Sequence, residues 1–183
     1  MATLEEHRAR LRDRFTPFVC GVGPVEAAAR TAWRLRKGDV GRVVSLGSAG
    51  SARLPQGHVA LIDRVSYRDM DATALGFARG ETPFLDMPPV VDLPTVPGLA
   101  TASLATGASV VSGDAYDAID ADMVDMETWA VMRACQLADV PMIALRAVSD
   151  GTVPLGGYRD WADHLDVVDE RLAEAVDHVL AVW

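Results

Sequence analysis

The sequence contains 183 residues, of which 50% are hydrophobic and 23% are charged, a composition typical of one folded domain with a sizeable core. The 17 Lys and Arg residues stand against 26 Asp and Glu, and the net charge of −9 argues against nucleic acid or an anionic membrane as the main partner. Because there is neither a run of about 18 apolar residues nor an apolar segment near Met1, we expect no membrane-spanning helix, no secretory leader and a cytoplasmic protein.

Runs typical of strands alternate with helical patterns along the chain. Runs rich in β-branched and small apolar residues predict strands at 18–23, 43–46, 59–67, 108–112 and 142–148. Apolar residues at helical spacing predict helices at 25–37, 124–138 and 158–183. Five prolines between Thr82 and Gly98 predict an irregular connection. Strands joined by helices indicate an α/β fold with a mixed or parallel sheet.

Small and polar residues stand at the ends of four predicted strands. They are Gly21-Val-Gly23, Gly47-Ser48, Gly113-Asp114 and Ser149-Asp150. In open α/β sheets, ligands bind beyond the carboxyl ends of the strands. Small residues there let the backbone approach a ligand, so these four ends predict a binding site.

Two carboxylates occupy positions that suit a catalytic or binding role. Asp150 ends a strongly apolar strand, where partial loss of water favours the protonated form that a general acid needs; a helix cap is the alternative. Glu127 opens a predicted helix, where the helix dipole alone would also favour an acid.

Gly21-Val-Gly23 lacks the third glycine of a dinucleotide fingerprint and precedes Pro24, so we expect no dinucleotide cofactor. The four histidines lack ligand spacing, so we expect no metal.

Six segments, taken together and in order, resemble the motif series of a known enzyme family. They are Gly21-Val-Gly-Pro-Val-Glu-Ala-Ala28, Ser45-Leu-Gly-Ser-Ala-Gly50, Tyr67-Arg-Asp-Met-Asp-Ala-Thr-Ala-Leu-Gly-Phe77, Ser112-Gly-Asp-Ala-Tyr116, Val124-Asp-Met-Glu127 and Arg146-Ala-Val-Ser-Asp150. The family is that of the 5′-methylthioadenosine/S-adenosylhomocysteine nucleosidases, within the nucleoside phosphorylase superfamily. The resemblance covers roughly residues 2–180.

The resemblance implies a fold, an activity and a partner. The fold is a three-layer α/β/α arrangement around a mixed, partly closed sheet. The activity is the cleavage of an N-ribosidic bond by water, with release of adenine and without a cofactor. The partners are a small nucleoside substrate and a second copy of the chain, in a cytoplasmic homodimer.

The resemblance also assigns three catalytic residues by position. Asp150 protonates N7 of adenine, which makes the base a better leaving group. Glu6, in a short acidic motif near the start of the chain, activates the water. Glu127 binds the 2′-hydroxyl of the ribose. An acid and an opposed carboxylate acting on an oxocarbenium-like sugar follow the logic of glycoside hydrolysis.

The remaining assignments concern substrate binding. Met126 packs on the sugar, Tyr116 stacks on the purine, and the backbone of Ala115 to Asp117 reads the adenine edge. The other residues lie at the water, at the thioether side, beside the acid, or in the pocket of the neighbouring subunit: Ser48, Val22, Ser149, Arg146, Leu75 and Phe77. Leu75 and Phe77 are the two that reach into the partner's pocket.

Three departures from the family pattern bear on these expectations. We expect residues 1–183 to form a single domain in which the family's first strand, before Glu6, is truncated. The span from Asp114 to Glu127 is short, and Asp117 replaces a residue that is usually apolar.

Phosphorylases of the superfamily carry a phosphate-binding arginine where Ser45 stands here, which favours water over phosphate as the nucleophile. The alternatives are a non-catalytic nucleoside-binding module, and a phosphorylase or another ribosyl hydrolase that takes, for example, a futalosine-type compound.

Overall fold

A computed structural model describes residues 1–151 and 153–183. Its strands are β1 (Val43–Gly50), β2 (Val59–Tyr67), β3 (Val90–Asp92), β4 (Thr101–Thr106), β5 (Met123–Asp125) and β6 (Met142–Asp150). Its α-helices are α1 (Ala9–Arg12), α2 (Pro24–Leu35), α3 (Thr128–Leu137), α4 (Tyr158–Ala162) and α5 (Leu165–Val182). Short 3₁₀ helices span Leu4–Glu6, Thr73–Leu75 and Gly113–Ala118.

The strands form a mixed sheet that closes on itself. β1 runs parallel to β6, β6 pairs with β2 in antiparallel fashion, and β2 and β4 are parallel, as are β4 and β5. The ring closes through one antiparallel contact, between Gly50 of β1 and Val124 of β5. β3 is added to the outer edge of β2. The expected mixed, partly closed sheet is therefore confirmed.

Helices cover the sheet on two sides and make the three expected layers. On one side, α2 and α3 pack on the sheet through a core that includes Ala27, Trp129 and Met132. On the other side, α5 and α1 pack through Leu172 and Leu11. Because both faces are covered, β6 is buried over almost its whole length, which explains why most of its residues are apolar. Among the described residues no helix is both long and apolar enough to cross a membrane.

Two predicted strands are wrong. Residues 18–23 are not a strand, because Gly21 and Gly23 adopt φ values of 88° and 87°, far from extended geometry. Residues 108–112 are not a strand either, and β4 lies just before them. Their β-branched pair Val110-Val111 lies in the wall of a cavity instead, so tertiary position overrides strand propensity there.

Two predicted helices have different limits in the structure. The helix expected at 124–138 begins only at Thr128, because residues 123–125 pair with β4 as β5. The Asp125 carboxylate accepts the backbone N–H of Thr128 at 3.0 Å and so satisfies one of the free amide groups at the start of the shortened helix. The helix expected at 158–183 is divided at residues 163–164 into α4 and α5. The remaining predicted elements, at 25–37, 43–46, 59–67 and 142–148, correspond to α2, β1, β2 and β6.

Candidate active site

A cavity of about 530 Å³ lies where β1, β5 and β6 end. Its lining includes seven of the thirteen residues assigned to the site from the sequence: Glu6, Val22, Ser48, Met126, Glu127, Ser149 and Asp150. The acids Glu6, Glu127 and Asp150 are far apart in the sequence, and the fold brings all three to this one cavity. The cavity therefore brings three carboxylates together for acid and base chemistry.

Glu6 ends the 3₁₀ helix Leu4–Glu6 and is 3% exposed. Its Oε1 accepts the backbone N–H of Ser48 at 2.7 Å and the Ser48 hydroxyl at 2.8 Å. Its Oε2 is buried and has no hydrogen-bond partner among residues 1–151 and 153–183. A Cβ at Gly47 would lie 3.2 Å from Glu6 Oε1, so glycine leaves room for the carboxylate against β1. One oxygen of Glu6 is thus fixed by the protein and the other remains available.

Asp150 is the last residue of β6, and its carboxylate is held by its neighbour. The Ser149 hydroxyl donates to Asp150 Oδ1 at 2.6 Å. Ser149 itself is buried. A Cβ at Gly50, on the paired end of β1, would lie 3.1 Å from Asp150 Oδ2. The end of β1 therefore approaches the Asp150 carboxylate closely because residue 50 has no side chain.

Tyr116 lies beside this carboxylate but in the core rather than in the cavity wall. Its ring packs in a small cluster with Ala105, Val111 and Val124. Burial, and then the charge of Asp150, raise the pKa of the Tyr116 phenol above its usual value. Stacking of Tyr116 on a purine stays a prediction.

Glu127 precedes α3 and faces the start of another helix. Its Oε1 accepts the backbone N–H of Gly23, the residue that caps α2, at 2.9 Å. Burial, and then the nearby charge of Asp125, raise the pKa of Glu127 to about 7, although the Gly23 hydrogen bond and Arg146 act in the opposite direction. Glu127 can therefore change its charge near neutral pH.

Arg146 lies behind the cavity, in a buried ion pair. It is 2% exposed, and its Nε and Nη2 donate to Asp125 Oδ2 at 3.0 and 2.9 Å. It also donates to the Ser45 backbone and side-chain oxygens and to the Thr128 hydroxyl. Thr106 donates to the other oxygen of Asp125 at 2.6 Å. Arg146 therefore holds β5, β1 and α3 together, and a supporting role toward the substrate stays a prediction.

Four of the assigned residues lie away from this cavity. Ala115 and Asp117 are exposed on the 3₁₀ helix Gly113–Ala118. Leu75 is 75% exposed, and Phe77 packs on Phe84 with ring centroids 5.6 Å apart. Contacts of these residues with adenine or with a partner's pocket stay predictions.

The residue-by-residue assignment missed three residues of the site, among them Trp161 of α4. Its indole N–H donates to Ser48 Oγ at 3.1 Å, and its ring lines the cavity. Arg68, after β2, also lines the cavity and pairs with Asp69 at 3.1 Å. Asp125 is the third, and the sequence does carry a signal for it: Arg146 in the most apolar strand needs a buried anion.

Comparison with known proteins agrees with the fold. The family described as the phosphorylase superfamily matches residues 5–114 and 105–181. The chain belongs to this superfamily.

The curated relatives of the chain include nucleosidases. A 5′-methylthioadenosine/S-adenosylhomocysteine nucleosidase of Staphylococcus aureus is 30% identical over 149 residues, which cover 71% of this chain and 65% of the relative. The chain thus spans about two thirds of the length of that curated relative.

Solved structures give the same result for the fold. The nucleosidase of Neisseria meningitidis in complex with methylthio-immucillin-A superimposes with a TM-score of 0.80 at 22% identity, over 98% of this chain and 95% of that one. The S-adenosylhomocysteine nucleosidase of Streptococcus pyogenes in complex with 5-methylthiotubericidin gives 0.67 at 26% identity, over 84% and 75%.

Proposed function

We propose that this protein hydrolyses the N-ribosidic bond of 5′-methylthioadenosine, of S-adenosylhomocysteine or of both, and releases adenine. The observation that carries the proposal is the convergence of Glu6, Glu127 and Asp150 on one cavity. The nucleosidases among its relatives give independent support.

Asp150 is the proposed general acid. It donates a proton to N7 of adenine, so that the base leaves as a neutral molecule. The hydrogen bond from Ser149 to Oδ1 fixes the carboxyl group. Oδ2 is then the oxygen that carries the proton to the base. Proton transfer from a positioned acid contributes about 10²- to 10⁴-fold in rate.

Glu6 and Glu127 act on the sugar side. Glu6 Oε2, which is buried and without a protein partner in the described part of the chain, accepts a proton from the attacking water. In its ionised form, the Glu127 carboxylate accepts a hydrogen bond from the 2′-hydroxyl of the ribose. Met126 and Val22, which also line the cavity, pack on the ribose and on the thioether, respectively. Both carboxylates also stabilise the positive charge that develops on the ribosyl ring.

The arginines favour water over phosphate. Arg146 is occupied by Asp125, Ser45 and Thr128 behind the cavity. Arg68, which lines the cavity, is paired with Asp69 through Nη1 and donates from Nη2 to the Ser109 carbonyl, which leaves only its buried Nε without a partner among the described residues. A phosphate dianion needs free cationic donors, so the site suits hydrolysis.

A homodimer completes the proposal. Leu75 is 75% exposed, and Phe84, on which Phe77 packs, is 96% exposed. Exposed apolar side chains are unfavourable in water, and contact with a second subunit would bury them. In the dimer, Leu75 and Phe77 close the thioether end of the neighbour's cavity.

We place the activity in the cytoplasm, in methionine salvage.

Adenine release tests the function. Wild-type protein is incubated with each substrate and adenine is measured by chromatography, beside the variants Asp150→Asn, Glu127→Gln and Glu6→Gln. Each variant should lose at least about 100-fold in turnover. The exposed Glu170 of α5 supplies the control Glu170→Gln, which should keep wild-type turnover. Wild-type rates in all three site variants would refute the assigned roles, and adenine binding by calorimetry without release would favour a non-catalytic binding module.

A further inference from the structure

Trp161 is joined to the candidate base by a chain of two hydrogen bonds. Its Nε1 donates to Ser48 Oγ at 3.1 Å, and Ser48 Oγ donates to Glu6 Oε1 at 2.8 Å. An indole N–H can only donate, and a hydroxyl has one proton to give. Because the Trp161 N–H occupies a lone pair of Ser48, the Ser48 proton is left to point at Glu6.

This chain decides which oxygen of Glu6 is available. Oε1 receives the Ser48 hydroxyl and also the Ser48 backbone N–H at 2.7 Å, whereas Oε2 is buried with no partner in the described residues. Leaving a buried carboxylate oxygen unpaired is costly. A water that donates to Oε2 would remove that cost.

The helix that carries Trp161 is itself tied to the segment that carries Glu6. The Arg8 guanidinium donates to the Ala162 carbonyl at 3.2 Å, and the Tyr158 hydroxyl donates to Glu5 at 3.2 Å. The Tyr158 and Trp161 rings pack with centroids 5.6 Å apart. The indole is therefore held in place from α4 while its N–H points into the site.

We infer that Trp161 is a positioning residue for the water-activating carboxylate, acting through the Ser48 hydroxyl on Glu6, in addition to forming part of the cavity wall. This inference rests on the proposed function. The two roles of Trp161 are separable because phenylalanine keeps an aromatic wall but lacks the N–H.

The test is a double-substitution cycle with Trp161→Phe and Ser48→Ala. Trp161→Phe should lower kcat about 5- to 10-fold, as expected for one lost hydrogen bond, and change KM less than twofold. In the Ser48→Ala background the same substitution should have no further effect on kcat, because the link is already broken. The exposed Trp33 of α2 supplies the matched control Trp33→Phe, which should leave kcat unchanged.

A spectroscopic measurement tests the first link without any turnover. The protein has four tryptophans, so its ¹⁵N–¹H spectrum should contain four indole signals. The signal that Trp161→Phe removes should shift in Ser48→Ala, while the other three stay in place.

The outcomes separate the two claims. An active wild type in which Trp161→Phe lowers kcat equally in both backgrounds, or an indole signal that ignores Ser48→Ala, overturns the positioning role and leaves the hydrolase intact. A wild type that releases no adenine from either substrate overturns the proposed function and, with it, the role of Trp161.

Discussion

The carboxylate of Glu127 accepts the backbone N–H of Gly23 at 2.9 Å, so a side chain at the start of α3 is bound to the residue that caps α2. The positive end of the α2 dipole favours the ionised carboxylate. Burial and the charge of Asp125 disfavour it more, and the pKa of Glu127 is raised to about 7. The same group thus lines the cavity and is kept near its titration point.

This raised pKa makes stability depend on pH. Between about 4.5 and 7 the folded protein keeps a proton on Glu127 that the unfolded chain releases, so its contribution to the unfolding free energy is full below pH 4.5 and is lost as pH rises through 7. Glu127→Gln removes this loss. The variant should gain stability relative to wild type between pH 5 and pH 8, by roughly 3 kcal/mol at most. Urea unfolding at both pH values measures the gain, and a difference that is flat with pH, like that expected for Glu170→Gln, would contradict it.

Asp169 anchors the segment that carries Glu6. This buried residue of α5 accepts the backbone N–H groups of Arg8, Arg10 and Leu11 at 2.9, 2.7 and 3.2 Å. Asp169→Ala leaves three amides without this partner and should lower the unfolding free energy by about 2–4 kcal/mol. It should also lower kcat, because Glu6 lies just before these amides. Denaturant unfolding measures the loss.

A nearby acid on the same helix provides the control for Asp169. The Asp166 side chain pairs with Arg8 at 2.8 Å but is 79% exposed. Because water screens such pairs, Asp166→Asn should change stability little. Equal losses in Asp166→Asn and Asp169→Ala would show that the buried amide bonds do not matter.

The buried pair of Arg146 and Asp125 should be costly to break. Asp125→Asn leaves the Arg146 charge, only 2% exposed, without its anion. Removing one partner of such a pair costs about 3–5 kcal/mol. The exposed pair of Arg34 and Asp39 is the comparison, and Asp39→Asn should unfold at nearly the wild-type denaturant concentration. An unfolding midpoint for Asp125→Asn as high as that of Asp39→Asn would contradict the structural role of the buried pair.

Gly50 tests how tightly the acid is enclosed. A Cβ there would clash with the Tyr116 hydroxyl and lie 3.1 Å from Asp150 Oδ2, so both groups would have to move. Gly50→Ala should therefore displace Tyr116 and Asp150 and lower both Tm and adenine release. At Gly41 a Cβ would meet nothing within 4 Å, so Gly41→Ala is the matched control. Wild-type Tm and turnover in Gly50→Ala would show that the contact is not a constraint.

Much of the fold could be predicted because buried strands leave a clear pattern. The limits of β2 match the predicted range 59–67, and β6 extends the predicted 142–148 by two residues. The failures at 18–23 and 108–112 have different causes, although local preference suggested a strand at both. At 18–23 the backbone conformation of Gly21 and Gly23 excludes a strand, and residues 108–112 have no paired strand in the described part of the chain. Neither cause is visible in the local sequence.

The site, too, could be predicted only in part. Ser48, Ser149 and Asp150 could be located because strand ends meet at one edge of a sheet. The contact of Trp161 with Ser48 joins residues 113 positions apart, and only the packed chain creates it. Tyr116 lies in the core beside Asp150, a placement that a motif match does not contain.

The central claim is that water, activated at this cavity, replaces adenine on the ribosyl carbon. The most direct measurement is mass spectrometry of the sugar product after turnover of 5′-methylthioadenosine in H₂¹⁸O with inorganic phosphate present. The account predicts free 5-methylthioribose with one ¹⁸O atom at C1, and loss of this product in Asp150→Asn. A sugar 1-phosphate without ¹⁸O at C1 would contradict it.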